Sequence, residues 1–285
     1  MTDFSPCGVI TLTTDFGLAE PFVGVMKGRI LARFATARII DLSHAIPAHQ
    51  PGIAGFWLSR CFEDFPTGTV HVAVVDPGVG TDRGILCMAA QGHALLAPDN
   101  GLLACCAARC PEAQVVRLAD AALAELGIRH VSATFHGRDI FAPVAAELAA
   151  GRVQPASLGG TPSAALGAMQ RGVLGAVQSV AALAADGPRT AGGEVDGRVV
   201  TVDHFGNLIT DIEAASIAGM VAPHALIGGR SLPVRRTYDD VQPGTLLALV
   251  NSFDLLEIAA GRASAAAALG VGPGARVSVR PAGAT

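Results

Sequence analysis

The sequence predicts an α/β protein in two parts: an N-terminal α/β domain with a largely parallel sheet, and a smaller C-terminal β-barrel domain. Over residues 1–183, β-branched and apolar runs alternate with helical patterns, which is typical of parallel strands joined by helices. Over residues 195–285, short β-rich runs are separated by Gly and Pro turns, which favours a small barrel. Residues 184–194 are rich in Gly, Ala and Pro, and we interpret them as a linker.

The elements of the N-terminal domain follow one another in a regular order. Residues 69–75 (Thr-Val-His-Val-Ala-Val-Val) are nearly all apolar or β-branched, so they form the clearest buried strand. The other predicted elements are strands at 9–14, 38–42, 85–90 and 114–118 and helices at 21–34 and 53–62.

A further helix is predicted from Asp139. This residue is a suitable N-cap, Pro143 falls within the first turn, and Gly151 follows where a C-cap glycine is expected. In the C-terminal domain, the clearest strands are predicted at residues 198–202, 246–250 and 275–279.

The composition excludes several classes of protein. With 51% hydrophobic and 15% charged residues, the chain is not disordered. A net charge of -4 without a basic block argues against nucleic acid and anionic membranes as partners. The N-terminus lacks the basic and apolar regions of a signal peptide, and the longest apolar stretch, residues 173–185, is too short to span a bilayer. We therefore expect a cytoplasmic protein.

The cysteines predict neither disulfides nor a metal site. No Cys-x-x-Cys pair occurs, and the cluster that begins at Cys105 lies in an alanine-rich segment with a helical pattern. Buried free thiols in a reducing compartment are expected instead. The six cysteines are Cys7, Cys61, Cys87, Cys105, Cys106 and Cys110.

Polar residues at the ends of the predicted strands indicate a small-molecule site. In an open α/β sheet, ligands bind beyond the carboxyl ends of the strands. Each of these residues alone is also typical of a turn or a helix cap, so the residues by themselves support only an α/β enzyme with a polar crevice. The residues are Asp15, Asp76, Asp99, Asn100, His136, Arg138 and Asp139.

At these same positions, the sequence resembles the S-adenosylmethionine (SAM) hydroxide adenosyltransferases, which are relatives of the SAM-dependent fluorinase and chlorinase. The shared motifs occur in order over nearly the whole chain. They are Thr13-Thr14-Asp15-Phe16-Gly17, Val25-Met26-Lys27-Gly28, Asp41-Leu42-Ser43-His44-x-Ile46-Pro47, Val74-Val75-Asp76-Pro77-Gly78-Val79-Gly80-Thr81-x-Arg83, Pro98-Asp99-Asn100-Gly101, Thr134-Phe135-His136-Gly137-Arg138-Asp139-Ile140-Phe141-Ala142-Pro143, Asp203-His204-Phe205-Gly206-Asn207-Leu208-Ile209-Thr210, Asn251-Ser252-Phe253 and Leu256-Glu257-Ile258-Ala259.

The resemblance implies a homotrimer in which each site is shared between the N-terminal domain of one subunit and the C-terminal domain of its neighbour. It implies that Asp15 holds the ribose hydroxyls, that Asn207 reads the adenine edge and that Glu257 lies near the adenine. The methionine end is assigned to Asp203 and Ser252, with backbone contacts from Phe253. The sequence departs from the family pattern at Glu20 and Phe22, near the methionine end, and at His49, where the halogenating relatives have an aromatic residue.

Asp76, Arg83 and His136 match the catalytic triad of the hydrolases in this family. The implied reaction is hydrolysis of SAM to adenosine and L-methionine by in-line attack of an activated water at C5′. An aspartate at position 76 argues against a halide nucleophile, because a carboxylate repels an anion. SAM is then the substrate, and no cofactor or metal is predicted. Which of the three residues removes the proton stays open, and the alternatives are a SAM-dependent halogenase or a non-catalytic module that binds adenosine or SAM.

Overall fold

The computed structural model describes residues 4–159, 189–191 and 193–282. The chain divides into two compact units, Met1–Ala181 and Ala182–Thr285. The first is an α/β domain and the second contains a closed seven-stranded β-barrel, which confirms the predicted fold class.

The first unit is built around a six-stranded sheet in the order β2-β1-β3-β5-β4-β6. Its strands are β1 (Val9–Thr14), β2 (Arg38–Ser43), β3 (Val70–Val74), β4 (Ile85–Ala90), β5 (His93–Pro98) and β6 (Gln114–Arg117). Its α-helices are α1 (Phe22–Arg33), α2 (Pro51–Cys61), α3 (Ala104–Arg109), α4 (Asp120–Glu125) and α5 (Ala142–Ala149), with a π-helical turn at Gly137–Phe141 and 3-10 turns at Phe62–Asp64 and Pro155–Leu158.

The sheet is parallel except for β4, which runs antiparallel to both β5 and β6. The carboxyl ends of β1, β2, β3 and β5 therefore meet at one edge, and the amino end of β4 meets them there. Because β4 runs antiparallel to β5, Arg83, which precedes β4 by two residues, lies at the same edge of the sheet as Asp76, which follows β3.

Alternation along the strands divides the core between the two faces of the sheet. Ile10, Leu12, Val70 and Val72 pack with buried residues of α1 and α5 in one cluster. Thr11 and His71 alternate with these residues along β1 and β3, so they face the other side of the sheet, and they are also fully buried.

The predicted helix at Asp139 begins differently, and the N-cap prediction for this residue is wrong. Asp139 lies inside the π-helical turn at Gly137–Phe141, and the α-helix begins at Ala142. The predicted C-cap is confirmed. Gly151 has φ +71° and donates to Leu148, while Arg152 donates to Glu147, which is the Schellman pattern.

The second unit closes its barrel through the pairing of β8 with β14, and β7 pairs outside it with β8. Val199, Leu208, Ile258 and Val277 are among the residues that fill the interior. The strands are β7 (Arg189–Ala191), β8 (Glu194–Val202), β9 (Leu208–Glu213), β10 (Pro223–Ile227), β11 (Arg230–Arg235), β12 (Leu246–Val250), β13 (Leu255–Ala260) and β14 (Arg276–Pro281), with helices α6 (Ala214–Ile217) and α7 (Ala265–Leu269).

Two predictions concern residues that are only partly described. The apolar stretch 173–185 lies outside the described residues, as do residues 184–188 and 192 of the predicted linker. Within the rest of that linker, Arg189–Ala191 is β7 and Glu194 begins β8. Across the described ranges, no helix has both the length and the apolar character needed to cross a membrane.

Candidate active site

Asp76, Arg83 and His136 come together at the carboxyl edge of the first unit's sheet. Arg83 binds Asp76 with two donors: Nε lies 2.9 Å from Oδ1, and Nη2 bonds to Oδ2. The same Nη2 lies 2.7 Å from His136 Nδ1. The side chains of Arg83 and Asp76 are only 9% and 4% exposed. A guanidinium thus joins a carboxylate and an imidazole in one partly buried cluster.

The loop between β3 and β4 is shaped to present Asp76 and Arg83 together. Val79 N–H donates to the Asp76 carbonyl, and the Thr81 hydroxyl donates to the Gly78 carbonyl at 2.7 Å. Asn100, which follows β5, donates from Nδ2 to the Val75 carbonyl at 2.9 Å and so fixes the backbone just before Asp76. The polar residue Asn100, predicted after β5, therefore supports the backbone next to the cluster of Asp76, Arg83 and His136.

His136 lies on a loop held by Asp139. The Asp139 carboxylate accepts from the Ser132 backbone N–H at 2.9 Å and from Arg138 Nε at 2.6 Å. Hydrogen bonds from Arg138 hold the pKa of Asp139 far below its ordinary value. Asp139 is 5% exposed and serves as the anchor of this loop.

The surroundings of His136 favour its neutral form. Burial lowers the pKa of His136 below 6.5, and the positive charge of Arg83 lowers it further. The carboxylates of Asp76 and Asp139 act in the opposite direction without reversing the shift.

Three phenylalanines pack the Asp15 loop against the His136 loop. The Phe16 and Phe135 rings meet edge-on at 5.9 Å between centroids, and the Phe22 ring lies 6.0 Å from Phe16 and 5.4 Å from Phe135. Asp15 precedes Phe16, and His136 follows Phe135. Phe22, one of the departures from the family pattern, completes this aromatic cluster.

Asp15 has one carboxylate oxygen engaged within the domain. The backbone N–H of His49 donates to Asp15 Oδ2 at 3.0 Å, and His49 has φ +63°. Within the described part of the chain, Asp15 Oδ1 has no hydrogen-bond partner, so it is available to a ligand hydroxyl.

A cavity of about 570 Å³ lies beside the triad in the first unit. Arg83 and His136 form part of its wall, together with Arg117 from the end of β6. Asp82 and Asp120 add two carboxylates to the lining. The cavity borders the side of the triad that faces β4 and β6.

In the second unit, Asp203 and Asn207 form one hydrogen-bonded turn between β8 and β9. Asp203 Oδ1 accepts from the backbone N–H groups of Phe205 and Asn207, at 2.9 and 2.8 Å. Asp203 Oδ2 accepts from Asn207 Nδ2 at 3.0 Å. This arrangement fixes the side chain of Asn207 and leaves its amide oxygen outside the pair.

Glu257 lies on β13, next to β9, and is 3% exposed. It accepts from the Tyr238 hydroxyl at 2.8 Å and from Asn251 Nδ2 at 3.2 Å. Burial raises the pKa of Glu257, while these two hydrogen bonds oppose the rise.

A second cavity, of about 530 Å³, lies in the second unit beside Asn207. Sequence reasoning missed most of its lining, because the aromatic residues Phe205 and Tyr238 come from different loops and neither follows a strand pattern. The other lining residues are Ala260, Arg262, Ala263 and Ser264.

The remaining predicted residues of this unit lie in the turn between β12 and β13. Ser252 is exposed, and the Phe253 backbone N–H donates to Asn251 Oδ1 at 2.9 Å. Asn251 therefore links this turn to Glu257. Over the described ranges, no group of three or more His, Cys, Asp or Glu residues is arranged to hold a metal ion.

Comparison with known proteins gives a consistent result over both units. Residues 10–159 match the model of the SAM hydroxide adenosyltransferase N-terminal domain, and residues 197–278 match that of the C-terminal domain. A Thermus thermophilus protein named (R)-S-adenosyl-L-methionine hydrolase is 38% identical over 268 residues, which cover 92% of this chain and 95% of that protein.

Two further relatives agree with this result. A protein of the same name from Salinispora arenicola is 40% identical over 277 residues, which cover 95% of this chain and 97% of that protein. The crystal structure of an uncharacterized conserved protein from Thermotoga maritima has a TM-score of 0.80 at 29% identity, and the match covers 95% of this chain and 99% of that one. The chain therefore belongs to the SAM hydroxide adenosyltransferase family.

Proposed function

We propose that the protein hydrolyses SAM to adenosine and L-methionine. The observation that carries this proposal is the cluster in which Arg83 joins the Asp76 carboxylate to the His136 imidazole, at the edge of the sheet where α/β enzymes bind ligands. The hydrolase name of relatives that are 38–40% identical over most of the chain supports the same reaction.

The chemistry asks for a positioned water more than for a strong acid. SAM is a sulfonium, so C5′ already carries neutral methionine as its leaving group. A water held in line with the C5′–S bond can displace methionine directly, and its orientation supplies much of the rate enhancement. Polar groups of Asp76 and His136 can hold such a water, while Arg83 fixes both residues.

The contacts of Arg83 also bear on the fate of the proton. A guanidinium has only donors, so the His136 Nδ1 that faces Arg83 Nη2 must accept, and the proton of the neutral ring is then on Nε2. In this tautomer, His136 has no free lone pair with which to take a proton from the water. Attack by neutral water gives a strongly acidic oxonium at C5′. We assign the Asp76 carboxylate as the group that takes the proton.

The substrate's ends are assigned to residues of both units. Asp15 Oδ1 would accept from a ribose hydroxyl. The adenine would lie in the 530 Å³ cavity between Phe205 and Tyr238, with Asn207 at its edge and Glu257 behind Tyr238. Asp203, Ser252 and Phe253 would meet the methionine end. Aromatic rings beside an amide are well suited to a purine, because they offer stacking and edge recognition together.

We further propose that the enzyme is a cytoplasmic homotrimer with sites shared between subunits and that it needs no cofactor or metal. Light scattering of the full chain should report three subunits. A fully active monomer would contradict the shared site.

Product analysis tests the reaction itself. Purified protein incubated with SAM in plain buffer should release adenosine and methionine in equal amounts, separated by chromatography. Release of 5′-chloro-5′-deoxyadenosine in chloride buffer would identify a halogenase. Unchanged SAM after prolonged incubation would identify a binding module.

A further inference from the structure

A chain of polar side chains runs from the exposed Lys27–Asp41 pair to the loop that carries Asp15. Lys27 Nζ lies 2.7 Å from Asp41 Oδ2, and His44 Nε2 lies 3.1 Å from Asp41 Oδ1. On the other side of the ring, His44 Nδ1 lies 2.8 Å from the Thr14 hydroxyl. The His44 side chain is only 2% exposed. This chain lies at the ends of β1 and β2, apart from the triad.

The well-formed side-chain hydrogen bond of His44 in this chain is the one with Thr14. His44 Nε2 lies 3.1 Å from Asp41 Oδ1 without aligned hydrogen-bond geometry, and Asp41 is held by Lys27. We assign the Thr14 hydroxyl as the donor to His44 Nδ1. The same hydroxyl accepts from the backbone N–H of Phe16 at 3.2 Å.

His44 holds the Asp15 loop from both sides. Through Thr14 it fixes the residue before Asp15 and the backbone N–H of the residue after it. Its own backbone carbonyl accepts from Gly17 N–H at 2.8 Å, and Gly17 has φ +68°. We infer that His44 is a positioning residue for substrate binding: it orients Asp15 toward the ribose through Thr14 and Gly17, without touching the substrate.

This inference rests on the ribose role proposed for Asp15, and the experiment separates the two. We would measure the KM and kcat for SAM and the Kd for adenosine in four variants. In His44→Leu and in Thr14→Val, the hydrogen bond between positions 14 and 44 is lost. His44→Asn keeps a side-chain oxygen that can accept from Thr14. Asp15→Ala removes the proposed ligand contact.

Loss of the hydrogen bond should raise the KM and the adenosine Kd about tenfold in His44→Leu and Thr14→Val, which is the worth of a polar contact of this kind. The kcat should stay within about threefold of its original value, because the lost interaction is made equally in the ground state and the transition state. His44→Asn should recover most of the affinity. Adding His44→Leu to Asp15→Ala should raise the KM no further than Asp15→Ala alone, as expected for two residues that act through one contact.

His71→Leu is a matched control for lost stability. His71 Nδ1 also lies 2.8 Å from a threonine hydroxyl, that of Thr11, but within the body of the sheet. This variant should melt at a lower temperature and keep the original KM.

If Asp15→Ala leaves the KM unchanged, both the ribose role and this inference are overturned. If Asp15→Ala raises the KM but neither His44→Leu nor Thr14→Val does, only the inference is overturned. Equal KM values for the Asn and Leu variants, or additive effects in the double variant, would also overturn it. Should His44→Leu fail to fold, Thr14→Val carries the test.

Discussion

Gly80 lies directly against the backbone carbonyl of Ala133, so that a Cβ at position 80 would overlap the Ala133 oxygen. Gly80 belongs to the loop that carries Asp76 and Arg83, and Ala133 to the loop that carries His136. The φ of Gly80 is +80°, which also suits glycine rather than a residue with a side chain. The absence of a side chain at this position lets the loop that carries Asp76 and Arg83 approach the loop that carries His136.

Gly80→Ala should therefore separate the two loops and weaken the contact between Arg83 and His136. A misplacement of about 1 Å in a catalytic group can cost about 10²-fold in rate, so we expect kcat to fall by at least tenfold. Gly78→Ala is the control, because the nearest atom to a Cβ there is 3.5 Å away, on the flexible Arg83 side chain. Steady-state kinetics of both variants, with melting temperatures, would check this. Equal activity of the two would contradict the role given to the close approach.

His136 is expected to act through the donor and acceptor of its neutral ring. His136→Ala should lower kcat about 10²-fold or more, within the usual range for such a group. His136→Asn keeps an oxygen that can accept from Arg83, so it should retain more activity than the Ala variant. Single-turnover kinetics would measure the chemical step directly. If the Asn variant is as slow as the Ala variant, accepting from Arg83 is not the main contribution of His136.

The pH dependence of activity follows from the lowered pKa of His136. Burial, and then the charge of Arg83, lower this pKa below 6.5, so the ring stays neutral to a lower pH than a free histidine. If the neutral ring is required, kcat/KM should have an acid limb, and the midpoint of this limb should lie below 6.5. The His136→Asn variant should lose this limb or move it. A midpoint above 6.5 in the original protein would contradict the prediction.

A buried histidine pair should make the fold sensitive to acid. His71 and His93 are 0% and 3% exposed, and their ring nitrogens lie 3.3 Å apart. Burial, and then His93, lower the pKa of His71 to about 3. Between pH 6.5 and 3 the unfolded chain therefore binds a proton that the folded chain does not, so the free energy of unfolding falls as the pH falls. For one proton the slope is about 1.4 kcal/mol per pH unit.

Urea unfolding at pH 7 and pH 5 would measure this slope. His71→Asn keeps a partner for Thr11 and does not titrate, so it should reduce the difference in stability between the two pH values. An equal difference in both proteins would remove His71 from the acid sensitivity.

The sequence predicted the strands near the site well. β1 and β4 have the bounds predicted for them, and β3 lies within the range 69–75 predicted for it. Each is an apolar run long enough to give a period-2 or continuous pattern. The resemblance named Asp76, Arg83 and His136, but the residues alone offered only separate turns. Their meeting depends on β4 running antiparallel, which brings Arg83 to the edge where β3 ends, and strand direction leaves no mark on local composition. The prediction that Asp139 is an N-cap was wrong for a related reason. An Asp before an apolar run is typical of an N-cap, but the Asp139 carboxylate instead accepts from Ser132 and Arg138 in the loop before the helix, and the sequence pattern does not reveal those contacts.

The choice between water and halide should depend on the charge of Asp76. In the original protein, the Asp76 carboxylate is paired with Arg83, so the cluster offers no net positive charge to an anion. Asp76→Asn nearly keeps the shape and leaves the Arg83 guanidinium unpaired. At about 4 Å, with an effective dielectric constant near 20, a chloride would gain roughly 4 kcal/mol from that charge.

Hydrolysis should fall sharply in the Asp76→Asn variant. Chloride should inhibit the residual activity and raise the melting temperature, since a bound anion stabilises the folded form. The amount of 5′-chloro-5′-deoxyadenosine formed should be small, because the site is not shaped to remove the hydration water of the ion. Arg83→Gln, which removes the cation instead, should show no such response to chloride. Product analysis in concentrated chloride compares the three proteins directly, and efficient chlorination by the original protein would overturn the assignment of water as the nucleophile.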